Sequence, residues 1–363
     1  MWEFSDSRMG YSMGQPAIVA LPNKKFGVIV SSGYHNTAPE KGYVWILDVS
    51  NGSIIKEFEL NTQGNLGTVL ATDLNGNAEA DRLYVPDTQG NVWRLDLTSE
   101  VSSWGIPSTL DSGKGPLFVA KDASGNRQAI TAPLASAFNQ WGQHMLLFGT
   151  GSYYRVGDNE VAVNPPVETF YGLFDTGHLI DGRDLLLKQS ILAEATKNGK
   201  QLRAVTDNKL ISQKGWYLDL AFNKADGGPG PKGERVLAQA SLRSDRVVFT
   251  TMTPVDDPCL SGGTSMIMVL DLSSGQRLKY AYFDVDGDGN LGDGDYHLLP
   301  GDDGELIPLS GMSDADDGVV KGVNAMYKWM CYAGSSGEVK CVPVAGSMRE
   351  GRQSWREVRD ADE

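Results

Sequence analysis

Residues 42–48 read Gly-Tyr-Val-Trp-Ile-Leu-Asp, followed by Ser50-Asn51-Gly52 and then by the alternating Ser53-Ile54-Ile55-Lys56-Glu57-Phe58. A run of β-branched and aromatic residues, a Gly-containing turn and a second alternating run make a strand, a turn and a returning strand. The unit recurs. Gly90-Asn91-Val92-Trp93-Arg94-Leu95-Asp96 repeats its first half, and Ser265-Met266-Ile267-Met268-Val269-Leu270-Asp271 repeats it with Ser273-Ser274-Gly275 behind. Weaker copies stand at 170–175, 216–219 and 337–342. A β-hairpin unit repeated with Asp and a Gly turn at its end is the sequence form of an all-β propeller, whose blades are small antiparallel sheets stacked on one another. The spacing is irregular, with inserts near 176–214 and 284–326 that a propeller carries as face loops at little entropic cost. Trp2-Glu3-Phe4 and Trp355-Arg356-Glu357-Val358 read as end strands that would share a closing blade. Trp45 and Trp93 read as packing between blades.

Composition agrees with this. Among 363 residues there are 43 Gly, and 40% are hydrophobic, enough for a sizeable core cut by many tight turns. A net charge of −14 argues against a nucleic-acid partner and against passive adsorption to anionic lipid, and suits a cation binder. There is no apolar run long enough to span a bilayer and no signal peptide, so residues 1–363 read as one propeller domain excised from a larger protein whose N-terminal part is missing. No catalytic constellation stands out. His35, His144, His178 and His297 are scattered, and no G-x-S-x-G, P-loop or paired C-x-x-C occurs.

The oxygen donors are better organised. Asp284, Asp286 and Asp288 occupy the first, third and fifth positions of D-V-D-G-D-G-N-L-G-D-G-D, with Gly289 sixth, Asn290 seventh and Asp295 twelfth. That is the spacing of a calcium loop, with Asp in place of the usual final Glu and with Asp293 as a competitor for the closing place. The alternative is an Asp/Gly-rich surface turn. Asp73, Asn75, Asn77 and Asp81 form a second, plainer loop, in which Glu79 offers a backbone carbonyl. Its Gly is fourth rather than sixth, and an Asx-rich turn is an equal reading. Asp302-Asp303-Gly304 and 314–318 lack alternate spacing and read as solvated turns. Cys331 and Cys341 flank a hairpin turning near Gly334–Gly337, so they either face each other as a disulfide, implying an oxidising compartment, or remain two thiols. Cys259 is left over as a free thiol or as a partner for a segment outside this sequence.

In order along the chain, W-E-F-S-D at Trp2, G-N-V-W-R-L-D-L at Gly90, L-F-G-T-G-S-Y-Y at Leu147, E-T-F-Y-G-L-F-D at Glu168, K-G-W-Y-L-D-L at Lys214, G-E-R-V at Gly233, V-V-F-T-T at Val247, D-P-C-L-S-G-G-T-S at Asp257 and S-W-R-E-V at Ser354 resemble the C-terminal domain of the PilY family. These are type IV pilus biogenesis factors and tip-associated adhesins, similar to the neisserial PilC proteins. The resemblance covers nearly the whole chain. It implies a modified, seven-bladed β-propeller with quinoprotein-like blade repeats and inserted loops, exported to the pilus tip or outer membrane of a Gram-negative bacterium. It also implies a non-enzymatic role in which calcium controls pilus extension, twitching motility and attachment, with minor pilins, the pilus tip and host or abiotic surfaces as partners. The family's D-x-[DN]-x-[DN]-x-x-x-D pattern maps onto Asp73, Asn75, Asn77, Glu79 and Asp81, and a second acidic loop of the domain matches Asp284 to Asp295. No Arg-Gly-Asp is present. A calcium-using quinoprotein dehydrogenase and a purely structural propeller with stabilising calcium are the alternatives.

Overall fold

In the computed structural model, residues 1–34, 41–255, 262–298, 306–314 and 316–346 are described. His35, Cys259, Asp302-Asp303-Gly304 and the closing strand expected at Trp355–Val358 lie outside them. The first sheet holds β1 (Ala17–Ala20), β2 (Phe26–Ser31), β3 (Gly42–Asp48) and β4 (Ile54–Leu60) in chain order, and the second holds β5 (Leu70–Thr72), β6 (Arg82–Pro86), β7 (Asn91–Asp96) and β8 (Phe118–Val119). The third joins β9 (Ala135–Phe138), β10 (His144–Gly149) and β11 (Thr169–Phe174) to β15 (Gly215–Asp219), with β12 (Leu187–Gln189) parallel at its edge. The fourth runs β13 (Ile191–Lys197), β14 (Lys200–Val205), β21 (Gly311–Asp314), β18 (Gly263–Asp271), β17 (Arg246–Pro254) and β16 (Ser241–Arg243). A hairpin of β19 (Tyr296–Leu298) and β20 (Leu306–Pro308) precedes the fifth sheet of β22 (Val320–Met326), β23 (Trp329–Gly334) and β24 (Val339–Pro343). Helix is limited to short 3₁₀ turns among the described residues.

The repeats read from sequence fall on the buried strands. Side chains alternate between faces along a strand, so a strand buried on both faces feeds two cores. On β6 and β7, Leu83, Val85, Trp93 and Leu95 enter a core shared with the first sheet, while Tyr84 and Val92 enter one shared with the third. On β17 and β18, Phe249 and Met268 face the third sheet, whereas Val248 and Val269 face the fifth. Each neighbouring pair of sheets therefore shares one core, which is the stacking a propeller requires.

Four expectations need correction. The inserts at 176–214 and 284–326 are not face loops alone: the first supplies β12, β13 and β14 and the second β19 to β22, because their own alternating runs pair into the sheets. Trp2-Glu3-Phe4 forms no strand. Its alternation is real but serves packing: Trp2 and Phe4, with Met9, cover the outer face of the first sheet at Tyr43, Trp45 and Leu47. Trp45 therefore lies under the N-terminal segment, 5.5 Å from the Phe4 ring, while Trp93 does pack between sheets. The turn at 314–318 is not merely solvated either, because Lys340 reaches across from β24 to Asp314 at 2.9 Å and to the buried Asp317 at 2.7 Å.

Candidate metal centres

The two acidic loops are built alike. In the first, Asp73 accepts the backbone N–H groups of Gly76 and Ala78, each at 2.7 Å, Asn75 Oδ1 accepts that of Asn77, Asn77 Oδ1 accepts that of Glu79, and Asp81 accepts that of Leu74 at 2.7 Å. In the second, Asp284 accepts Gly287 and Gly289, Asp286 accepts Asp288, Asp288 accepts Asn290, and Asp295 accepts Val285 at 2.6 Å. Counted from the first residue of each loop, these bonds join the same positions. Only the closing carboxylate differs, ninth in one loop and twelfth in the other.

The left-handed positions match as well. Gly76 and Gly287, both fourth, have φ +79°, and the sixth residues, Ala78 and Gly289, have φ +67° and +84°. The fourth-position glycine of the plainer loop is thus no departure, and the sixth-position bend is made by an alanine. Local spacing could not reveal this, because alanine is not a residue that announces a left-handed turn.

In the second loop one oxygen from each of Asp284, Asp286 and Asp295 lies within 4.8 Å of the others. Asp284 and Asp295 are buried and Asp286 is exposed, so this triad can hold a metal ion. Asp295 rather than the exposed Asp293 closes the loop, and its second oxygen accepts Gly292 N–H at 2.8 Å. Asp288 and Asn290 are exposed and stay outside the triad. Sequence reasoning missed the support from the β13–β14 hairpin: Lys200 donates to the carbonyls of Asp284 and Val285 at 3.0 Å, and Lys197 donates to that of Gly294 at 2.6 Å. These lysines bond backbone carbonyls, not the carboxylates of the triad.

The first loop has neutral Asn where the second has Asp. Asn75 donates to both oxygens of the buried Asp81, at 3.0 and 3.2 Å. Burial works to raise the Asp73 carboxyl, yet the amides of Ala78, Gly76, Asn75 and Asn77 outweigh it and hold it below the usual carboxylate range. The Glu79 side chain turns to Lys24 at 3.0 Å, so its share in a cation shell would come from its carbonyl. The loop also joins two sheets, since Ala80 N–H donates to Ala20 O of β1 at 2.9 Å and Leu97 N–H donates to Asp81 O at 2.8 Å. Elsewhere, Cys331 and Cys341 stand directly opposite on β23 and β24 and form a disulfide.

The sequence model described as the PilY1 beta-propeller domain matches residues 4–183. A type IV pilus biogenesis factor PilY1 homologue from Xylella fastidiosa is 33% identical over 297 residues, covering 76% of this chain. The chain belongs to the PilY1 family. PilY1 of Pseudomonas aeruginosa strain PAO1 is 27% identical across 99% of the chain. The chain spans only 20% and 33% of the lengths of these two relatives. The crystal structure of the Pseudomonas aeruginosa PilY1 C-terminal domain superposes with a TM-score of 0.75 at 22% identity, covering 94% of this chain and 73% of that one, so the two share a fold. The family is one of type IV pilus biogenesis factors.

Proposed function

We propose that this chain is a single, seven-bladed propeller domain of an exported, non-enzymatic type IV pilus factor, displayed at the pilus tip or outer membrane, and that calcium held by its two acidic loops controls pilus extension, twitching motility and surface attachment. The observation that carries the reading is the shared set of loop hydrogen bonds, which join the same positions in two separate stretches of a PilY1-family chain, together with the converging oxygens of Asp284, Asp286 and Asp295 in the second. Oxygen-only donors, several of them carboxylates, suit a hard divalent cation of flexible coordination such as calcium.

Asp73, Asn75, Asn77 and Asp81, with the Glu79 carbonyl, would hold one ion; Asp284, Asp286, Asp288 and Asp295, with the Asn290 carbonyl, would hold the other. Bound calcium supplies the positive charge that lets clustered carboxylates stay close. The protein's own part is mechanical. Loop 73–81 bonds to β1 on one side and leads into β6 on the other, so ordering it fixes how the first two sheets meet and what face they offer to minor pilins or to a host or abiotic surface.

Calorimetric calcium titration of the chain, of Asp73→Ala, of Asp284→Ala and of the pair tests the assignment. Each single variant is expected to lose one binding event and the double variant both; undiminished heat in the double variant overturns it. Cells displaying each variant should lose piliation or twitching with loop 73–81, and intact motility with that site abolished would overturn the control role.

A further inference from the structure

Met326 pairs directly with Trp329, so the β22–β23 hairpin turns on Tyr327 and Lys328. Tyr327 sits at φ +55°, a left-handed conformation that is costly for a bulky residue and that here makes the turn of the hairpin. Met326 is 78%, Tyr327 58% and Trp329 51% exposed. Three large apolar side chains within four residues thus face water where a tight turn ordinarily carries Asn and Gly.

The support beneath the tip is firm. Lys328 O accepts Val344 N–H at 2.9 Å, and the Cys331–Cys341 disulfide ties β23 to β24 two residues below Trp329. The charge is also local. Residues 318–337 contain Lys321 and Lys328, both exposed, and no Asp or Glu, in a chain whose net charge is −14.

We propose that this hairpin tip is a membrane contact that sets Met326, Tyr327 and Trp329 into the headgroup boundary of a bilayer carrying anionic lipid. Tyr and Trp are the side chains that settle at that boundary, with an apolar body and a polar edge, and lysine stems lie along apolar surface while their ammonium groups meet headgroup phosphates. The charge of the whole chain repels an anionic leaflet, whereas this stretch carries two exposed lysines and no carboxylate to oppose contact. A hairpin tip backed by a disulfide suits insertion, since its large side chains are already exposed to the surroundings.

The test is flotation of the disulfide-intact chain, in EDTA so that the calcium loops play no part, with vesicles of phosphatidylcholine plus phosphatidylglycerol and with vesicles of phosphatidylcholine alone. The chain is expected to float with the mixed vesicles, and the triple variant Met326→Ser, Tyr327→Asn, Trp329→Ser, whose Asn keeps the turn, should lose roughly tenfold in partitioning. Lys321→Gln with Lys328→Gln should lose the preference for the anionic vesicles. Circular dichroism and the melting temperature, unchanged in both variants, establish that they fold. Absence of flotation, or equal flotation of chain and triple variant, overturns the proposal. So does a dimer in sedimentation that the triple variant abolishes without any vesicle binding, which would give the tip to a second copy.

Discussion

Ala78 takes φ +67° because the loop must place two consecutive sets of amides around Asp73. Alanine pays for this conformation with its Cβ, so Ala78→Gly is expected to stabilise the chain by about 0.5 kcal/mol, seen as a small rise in melting temperature in EDTA, with calcium binding retained. A fall in melting temperature would mean that the bend is not strained. A second residue-level case is His144. It lies buried against Tyr84, whose hydroxyl bonds to Asp175, and Asp175 is also held by Arg82 at 3.0 Å and Arg94 at 2.9 Å. Burial pulls the imidazole from 6.5 down to about 4, Asp175 opposes this, and the two arginines reinforce it. The unfolded chain therefore takes up the proton as pH falls through 6.5, and the folded chain only near 4. Stability should drop across that window and be flat above it on this account; urea melts of His144→Asn should show a shallower slope there. An unaltered slope would remove His144 as its source.

At the scale of the element, a tryptophan and a glycine turn recur as a joint. Trp216 of β15 donates its indole N–H to Leu272 O at 3.0 Å, and a Cβ on Gly275 would come within 2.2 Å of its ring. Trp2 donates to Val49 O at 2.9 Å, with Gly52 placed likewise at 2.5 Å. Val49 and Leu272 each follow the Asp that ends a repeat, so the N-terminal segment stands on the first sheet where the third sheet's strand stands on the fourth. Trp2→Ala should then cost about 2 kcal/mol in chemical denaturation, and Gly52→Ala should cost a comparable amount; a neutral Trp2→Ala would make the contact incidental. The repeat motif was legible in sequence because strand alternation and turn chemistry are local. Trp2's lack of backbone pairing was not legible, since alternation fits a strand and a packed arm equally. The same limit hid the Lys340 bridge to Asp317, the lysines under loop 284–295 and the Asp175 cluster, whose partners are far apart in the chain. The carboxylate spacing of 284–295 was local and readable, whereas loop 73–81 shows its likeness to it only in three dimensions.

Across the whole molecule, the cores alternate with the sheets like links, each core belonging to two neighbours. The ten-residue Cys331–Cys341 span lies in the last of these links, and removing it with Cys331→Ser and Cys341→Ser should cost about 3 kcal/mol by the loop-entropy relation. Reducing agent with no effect on the melting temperature would contradict this. The linked arrangement also bears on the two acidic loops proposed to hold calcium. Ala80 of the first loop enters the core between the first and second sheets, and Val285 of the second loop enters the core between the fourth and fifth. Two further cores stand between them. Coupling between sites travels through shared packing, so ions at these two places should titrate independently, each with a Hill coefficient of about 1 and a combined curve no steeper than that. A domain wired in this way would not switch at a single calcium concentration; it would register two thresholds, one at each end of the stack.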